Sequence, residues 1–327
     1  MEKNIYNGLS LKLMSVLSGI SVSTLYKFSQ THDLHPLQTT AKRGARYSIE
    51  NTRKILKYFF SSKHKIKNNR KKIAGFHFKG GTGKSSISTE SAVMLSLLGY
   101  NVLLIDGDQQ GHASYALGLD YSEKHYTLYD CVKNNLSPTD IIINIFEGLD
   151  CIPANLSLAE IDESLKDIPN SERMKVISKV LSGVEEKYDF VIFDTAPSIT
   201  DLNRNIFYYA DILGVVCDTQ PQSVQSLEHI MEYIEVFCKK NDKVTPQILI
   251  IPNKYEDRAS SSVETMSYLR KNWEKYIIPE FAVRKSEDFP KAFLEQTPIS
   301  VFCKVNSIAF EDIAQVVRHL INICEVS

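Results

Sequence analysis

Lys79-Gly80-Gly81-Thr82-Gly83-Lys84-Ser85-Ser86 is the stretch of sequence that decides the fold. The apolar run 73–78 before it has the composition of a buried strand, and residues 85–98 after it have the pattern of a helix. A strand, a glycine loop and a helix in this order form the context of a phosphate-binding loop, because glycines let several N–H groups point at one anion. The sequence therefore predicts a site at which Lys84 reaches the β- and γ-phosphates of a nucleotide and Ser85 binds Mg²⁺.

The loop departs from the usual GxxxxGK[ST] pattern, because Phe78 occupies the first glycine position and Lys79 directly precedes the paired glycines. The resulting pattern, KGGxGK[ST], resembles the deviant phosphate loop of the ParA/MinD superfamily of dimerising ATPases. An alternative, a glycine-rich turn with chance lysines, does not account for the strand and helix on either side. The resemblance implies that Lys79 crosses a dimer interface to the phosphates of the partner subunit.

Two further strand ends carry carboxylates in the order that this family uses. Residues 101–106 read as a buried strand that ends in Asp106-Gly107-Asp108-Gln109, and the carboxyl ends of parallel strands face the ligand crevice. This segment resembles the second signature of the superfamily, with Gln109 in place of its usual proline. The resemblance implies that Asp108 orients the attacking water and that Asp106 supports the metal and the loop lysine. The apolar run 190–193, which follows Tyr188-Asp189, ends in Asp194, the Walker B form, which is expected to hold Mg²⁺ through water.

From Lys72 onward, predicted strands alternate with predicted helices, which indicates an α/β fold with a mostly parallel, twisted sheet and helices on both faces. Asn253 ends the strand 247–253, and in the superfamily an asparagine there contacts adenine; the alternative is an ordinary turn residue. A last short strand is expected at 276–279. The helix 308–324 has an apolar stripe but few basic residues, which favours core packing over membrane anchoring.

The net charge of −1 hides a strong asymmetry along the 327 residues. Residues 1–72 hold 15 Lys and Arg against 3 Asp and Glu, a net of +12, and the remainder has a net of −13. A basic module attached to an acidic body is typical of a protein that contacts a polyanion such as DNA.

The basic N-terminal part has the pattern of a helix-turn-helix, with helices at 11–18 and 21–30 around Ser18-Gly19. The basic run 41–48 resembles the wing of MerR-like winged domains, and a third helix is expected from Ser48 to about Phe60. Thr24 and Lys27 are candidates for base contacts, and Arg43 and Arg46 for phosphate contacts. The alternative is a basic helical docking module without a DNA role. The candidate DNA-binding residues are Ser23, Thr24, Lys27, Lys42, Arg43 and Arg46.

These observations predict a small all-α, winged helix-turn-helix domain at 1–60, a basic linker at 61–71 and an ATPase domain at 72–327. The linker is polar and has little to bury. No run of about 18 apolar residues occurs, so no membrane span is expected. The N-terminus does not open a signal peptide, and the six cysteines are scattered, which indicates reduced thiols in a cytosol.

Residues 72 to about 325 resemble a ParA-type partition ATPase throughout, and the N-terminal part resembles the plasmid subgroup whose N-terminal part binds operator DNA. The resemblance implies a weak, switch-type ATP hydrolase that uses Lys79, Lys84 and Asp108, with ATP or ADP and Mg²⁺ as cofactors. It also implies an ATP-bound homodimer in the cytoplasm that binds nucleoid DNA, works with a ParB-like centromere-binding partner and represses its own operon. Two alternatives are a MinD-like membrane-cycling positioning ATPase and a transcriptional repressor with ATP as ligand. Intact Lys84, Ser85, Asp108 and Asp194 argue against the repressor.

Overall fold

The structure is a computed structural model that describes residues 7–37, 45–67, 71–119 and 124–325. Within these residues, seven strands form one sheet. The strands are β1 Lys72–Phe76, β2 Val102–Gly107, β3 Ile143–Phe146, β4 Leu149–Ile152, β5 Phe190–Thr195, β6 Ile212–Asp218 and β7 Gln247–Asn253. Their order across the sheet is β3-β4-β2-β5-β1-β6-β7.

Neighbouring strands pair in parallel, except that β3 is antiparallel to β4 at one edge. Every residue of β2, β5 and β6 is buried, as strands covered on both faces require. The predicted α/β fold with a mostly parallel sheet is therefore confirmed. The carboxyl ends of β1, β2, β5, β6 and β7 meet at one edge, and this edge carries the glycine loop.

Helices cover both faces of the sheet and close two apolar cores. The helices are α1 Leu11–Ser18, α2 Val22–Thr31, α3 Ile49–Phe59, α4 Lys84–Leu97, α5 His112–Ala116, α6 Leu128–Lys133, α7 Pro138–Ile141, α8 Ile161–Lys166, α9 Asn170–Arg173, α10 Val176–Leu181, α11 Asp201–Tyr209, α12 Pro221–Lys240, α13 Ser260–Trp273, α14 Asp288–Leu294, α15 Ile299–Phe302 and α16 Ile308–Cys324. One core lies between the sheet, α4 and α16, and the other between the sheet and α11, α12 and α13.

The three predicted N-terminal helices are present as α1, α2 and α3. Gly19 ends α1 with a left-handed φ of +73°, which glycine adopts without strain. The Ser21 hydroxyl caps α2 by accepting the N–H of Thr24, and Ser48 caps α3 in the same way. α1 packs on α16, and α3 packs on α4.

The N-terminal helices are not set apart from the ATPase body as the predicted division implies. Buried side chains of α1 and α3, such as Leu13, Leu17 and Leu56, belong to the same apolar core as those of α4 and α16. The described part of the expected linker, 61–67 and 71, also packs against the body. The N–H of Lys67 donates to the carbonyl of Cys324, and the hydroxyl of Tyr100 donates to the carbonyl of His64. The polar side chains of this segment gave no sign of this packing, because the segment makes these contacts through its backbone N–H and C=O groups.

Two expectations about the body differ in detail from the structure. The strand expected at 276–279 is wrong, because Ile277 forms only an isolated bridge with Ile250. The C-terminal helix has the bounds expected for it, and its apolar stripe is buried in the core. The stripe comprises Ile313, Val316, Val317, Leu320 and Ile321.

Candidate nucleotide site

The glycine loop joins the end of β1 to the start of α4 and has a shape that only glycine supports at two positions. Gly81 and Gly83 have φ values of +74° and +97°. A Cβ atom at Gly83 would lie 2.2 Å from Nδ2 of Asn253. Because α4 begins at Lys84, the free N–H groups of its first turn and its dipole face the loop.

Two side chains at the end of β7 support the loop. The Nδ2 group of Asn253 donates to the carbonyl of Thr82 at 2.7 Å, and Nζ of Lys254 donates to the carbonyl of Gly81. Asn253 therefore holds the loop in place, and its contact with adenine stays a prediction. Tyr255, which follows Lys254, lines a cleft of about 480 Å³ together with Arg284 and Glu287.

Asp106 and Asp194 lie side by side at the ends of β2 and β5, where they are paired in register and buried. Neither carboxylate oxygen of Asp194 has a hydrogen-bond partner of good geometry in the described part of the chain. Burial and the Asp106 carboxylate together raise the pKa of Asp194 to about 8, and the nearby Ser85 hydroxyl and Lys84 ammonium oppose the shift. A buried, unpaired carboxylate at this position is a site that needs a cation.

Asp106 has partners that Asp194 lacks. Its Oδ2 accepts the N–H and the hydroxyl of Ser114 at 2.8 and 2.7 Å, and its Oδ1 accepts the N–H of Asp108 at 3.1 Å. Burial raises its pKa to about 6, and these hydrogen bonds oppose the shift. Asp106 thus fixes the turn that presents Asp108, whose Oδ1 accepts the N–H of Gln110. Asp108 is itself buried, and its carboxylate lies near enough to the Lys84 ammonium to interact with it, as that of Asp194 does.

Lys84 is buried at the first position of α4. Burial lowers the pKa of its ammonium group, while the carboxylates of Asp194 and Asp108 raise it. The structure therefore brings Lys84 together with both predicted carboxylates, as their motifs require.

Lys79 is engaged within its own chain. Its Nζ lies 3.1 Å from Oδ2 of Asp218 and 3.4 Å from the Ser223 hydroxyl, and its side chain is 38% exposed. Its backbone N–H donates to Nδ1 of His77 at 2.9 Å. Burial lowers the pKa of His77 to about 4, which keeps the ring neutral and able to accept this bond.

Sequence reasoning missed Ser114, His77 and Asp218. Asp218 had a usable signal, because it ends β6 at the same edge where Asp194 lies one residue before the end of β5. Ser114 and His77 carry no motif and become visible only through their partners.

The site fits a nucleoside triphosphate with a divalent cation. The left-handed glycines and the start of α4 offer N–H groups to phosphate, and Lys84 offers a cation. Asp194 offers two unpaired oxygens, the ligand type that Mg²⁺ prefers, and Ser85 lies beside it.

The candidate DNA-binding residues fall into three groups. Ser23, Thr24 and Lys27 are exposed on α2. Lys42 and Arg43 lie outside the described residues. The prediction for Arg46 is wrong, because its guanidinium is buried and donates to the carbonyls of Gly8, Ser300 and Cys303.

Comparison with known proteins identifies the family. A family model described as an AAA domain matches residues 70–248, so residues 1–69 lie outside it. The cell division protein PomZ of Myxococcus xanthus is 31% identical over 226 residues, which cover 69% of this chain and 70% of PomZ. A probable plasmid-partitioning protein ParA of Thermus thermophilus is 30% identical over 189 residues, which cover 56% of this chain and 58% of that protein.

The fold has a solved counterpart in a McdA variant of Cyanothece bound to ATP. The TM-score is 0.69 at 19% identity, and the match covers 80% of this chain and all of McdA. Together, the sheet, the loop and the strand-end aspartates define a P-loop ATPase. Within that class, the chain belongs to the ParA-type family.

Proposed function

We propose that this chain is a DNA-segregating ATPase that binds ATP and Mg²⁺, dimerises on ATP, binds DNA and acts with a ParB-like partner. The observation that carries the proposal is the meeting of Lys84, Asp108 and Asp194 around one glycine loop, with Lys79 at its start. A McdA variant of the same fold binds ATP, which supports the choice of nucleotide.

Each residue of the site has a role in this proposal. The N–H groups of residues 80–86 and the ammonium of Lys84 hold the phosphates, and Ser85 and Asp194 would hold Mg²⁺. When bound, the metal neutralises charge on the phosphate oxygens. Asp108 holds the attacking water, and Lys79 reaches the phosphates of the second subunit. Because the site serves to make and break a dimer, turnover is slow and the protein acts as a switch.

Exposed apolar side chains at the same edge of the sheet support dimerisation there. Leu156 and Leu294 are 75% and 78% exposed, and Phe293 lies beside Leu294. Leu156 and Phe293 line a cleft of about 730 Å³ together with Gln109, which directly follows Asp108. Large apolar side chains gathered beside a site mark an interaction surface.

DNA binding rests on the +12 charge of residues 1–72 and on the exposed polar face of α2. In this proposal the protein is cytoplasmic and associates with the nucleoid, and a small DNA-binding protein encoded beside it is the partner. A MinD-like membrane role has less support, since the stripe of α16 is buried. Among the described residues, no helix is long and apolar enough to cross a bilayer.

Light scattering coupled to size exclusion tests the central claim. Mg²⁺–ATP should convert a monomer to a dimer, and Mg²⁺–ADP should leave it monomeric. Fluorescence anisotropy on a random duplex should show tighter DNA binding with ATP than with ADP. A chain that stays monomeric with ATP and binds DNA equally in both states would overturn the proposal. Binding to anionic vesicles instead of DNA would favour the MinD-like alternative.

A further inference from the structure

Three arginines join the N-terminal helices to the ATPase body through backbone carbonyls. Arg46 donates to the carbonyls of Ser300 and Cys303 at 2.6 and 2.8 Å, and Arg53 donates to those of Ser96 and Tyr100. In the opposite direction, Arg318 of α16 donates to the carbonyls at the end of α1. The C-terminal end of a helix presents unpaired carbonyls and a partial negative charge. A guanidinium there donates hydrogen bonds to the carbonyls and balances the charge.

Arg53 binds the far end of the helix that begins at the phosphate loop. Ser96 lies in the last turn of α4, roughly 20 Å from Lys84 at 1.5 Å per residue. Just beyond Ser96, α3 is in direct contact with the turn that follows α4. A Cβ atom at Gly99 would lie 2.9 Å from the Cα atom of Lys57 in α3. α3 therefore rests on the turn that ends α4, without room for a side chain between them.

A second connection runs through α15. Oε1 of Glu90, in the middle of α4, accepts the N–H of Ile299 at 2.9 Å, and Glu90 is buried. Arg46 holds the carbonyls of Ser300 and Cys303 in the same short segment. α15 is thus held between the helix of the phosphate loop and the N-terminal helices.

Separating these parts would be costly. Arg46 and Arg53 are 6% and 5% exposed, so pulling the N-terminal helices away would break buried charge-assisted hydrogen bonds. It would also open an apolar core that α1, α3, α4 and α16 share. Both losses favour joint unfolding of these helices over independent opening.

We propose that the N-terminal helices and the nucleotide site form one cooperative unit, in which Arg53 and Arg46 couple occupancy of the phosphate loop to the stability of α1–α3. The coupling rests on the proposed nucleotide binding. A ligand that binds only the folded state stabilises the whole cooperative unit by the same factor.

Hydrogen exchange on the full chain tests this with Mg²⁺–ADP, which leaves dimerisation out. At about 100 times the dissociation constant of ADP, the slowest amides of α4 should exchange about 100-fold more slowly. Those of α1 and α3 should slow by the same factor. Slowing confined to α4 and the sheet would overturn the proposal. If a fluorescent ADP analogue does not bind at all, the proposed function has failed instead, and the two failures are distinguishable.

Substitutions locate the coupling. Arg53→Met keeps an apolar stem and removes the bonds to Ser96 and Tyr100, and Arg46→Met removes those to α15. The matched control is Lys54→Met, the next residue of α3, whose exposed ammonium pairs with Glu50 on its own helix. In the arginine variants the slowing in α1 and α3 should fall at least tenfold relative to that in α4, with no fall in the control. Undiminished slowing in both arginine variants would assign the coupling to the apolar core. If Arg53→Met does not fold, Arg53→Lys replaces it.

Discussion

Lys79 is the residue that separates this loop from an ordinary phosphate-binding loop, and its ammonium is not needed to shape the loop. Its side chain bonds to Asp218 and Ser223, while the loop is supported by Asn253 and Lys254. Lys79→Ala should therefore still bind ADP but fail to dimerise with ATP, since two copies of a highly charged nucleotide would then face each other. Light scattering measures the mass, and Lys285→Ala, which removes an exposed lysine paired with Glu256, is the control. An ATP-dependent dimer of Lys79→Ala would exclude the cross-subunit role.

In the proposed dimer, Asp218 would compete with the partner's phosphates for the ammonium of Lys79, to which it is paired in the single chain. The 3.1 Å ion pair is partly exposed on the lysine side, so it contributes about 0.5–1 kcal/mol. Because a symmetric dimer breaks two of these pairs, Asp218→Asn should release Lys79 and lower the dissociation constant of the ATP dimer by about 5- to 30-fold. Sedimentation at several protein concentrations measures this constant. A weaker dimer would mean that Asp218 is needed at the interface itself.

Asp106 and Ser114 hold the turn of Asp108 through three hydrogen bonds that do not involve the Asp108 carboxylate, which itself accepts the N–H of Gln110 in this turn. Asp108→Ala should leave the turn in place, bind ATP, dimerise and lose most of its hydrolysis. Loss of a group that positions water or takes its proton costs roughly 10²–10⁴-fold in rate. Phosphate release under single turnover measures it. An unchanged rate would mean that another group holds the water.

At the scale of elements, the contact between α4 and α15 should depend on pH. Burial raises the pKa of Glu90 to about 8 from an ordinary value of 4.5. The folded chain therefore keeps a proton that the unfolded chain releases, and the free energy of unfolding falls as pH rises from about 4.5 to about 8. Glu90→Gln keeps an acceptor for the N–H of Ile299 and cannot ionise. It should be more stable than the native chain at pH 8 and similar to it at pH 5, by urea denaturation.

The control for Glu90→Gln is Glu50→Gln, which removes an exposed carboxylate on α3. Its pKa is lowered by Lys54, so it should not reproduce the gain at pH 8. If Glu90→Gln loses stability with pH as steeply as the native chain, Glu90 is not the group responsible.

In the proposed function, sequence-specific DNA binding depends on the exposed face of α2. Thr24 and Lys27 are exposed there, and with Arg46 buried they carry more of the predicted contact. On a duplex selected from a random pool by the native chain, Thr24→Ala and Lys27→Ala should each lose about 1–3 kcal/mol of binding free energy. The loss on random DNA should be small. Lys54→Ala on α3 is the control, and anisotropy across a salt series is the measurement. Equal losses on both DNAs would make these residues phosphate contacts.

At the scale of the whole molecule, local patterns predicted the body well. The phosphate loop, the strands that end in Asp106 and Asp194, and the bounds of α16 all follow from spacing over a few residues. Each of these features is local because every strand that contributes to the site carries its own short motif at its carboxyl end, and neighbouring strands bring these ends to one edge of the sheet.

The placement of the N-terminal helices could not be predicted in the same way. Arg46 lies in a basic run that resembles a wing, yet its partners are about 250 residues further along the chain. The expected linker looked solvated, but its backbone bonds to the end of α16. Composition indicates which residues prefer water, whereas the carbonyls left free at helix ends depend on the tertiary packing.

Because α3 packs directly on the end of α4, the N-terminal helices have a fixed position on the body. This fixed position constrains the DNA sequence that the proposed dimer would bind. Two subunits related by a two-fold axis would hold their α2 helices at one distance and one angle, with no tether to adjust either. Such a pair fits an inverted repeat whose half-sites lie a whole number of helical turns apart, each turn being about 10–10.5 base pairs. Inserting half a turn between the half-sites would carry one of them to the opposite side of the duplex, out of reach of its helix.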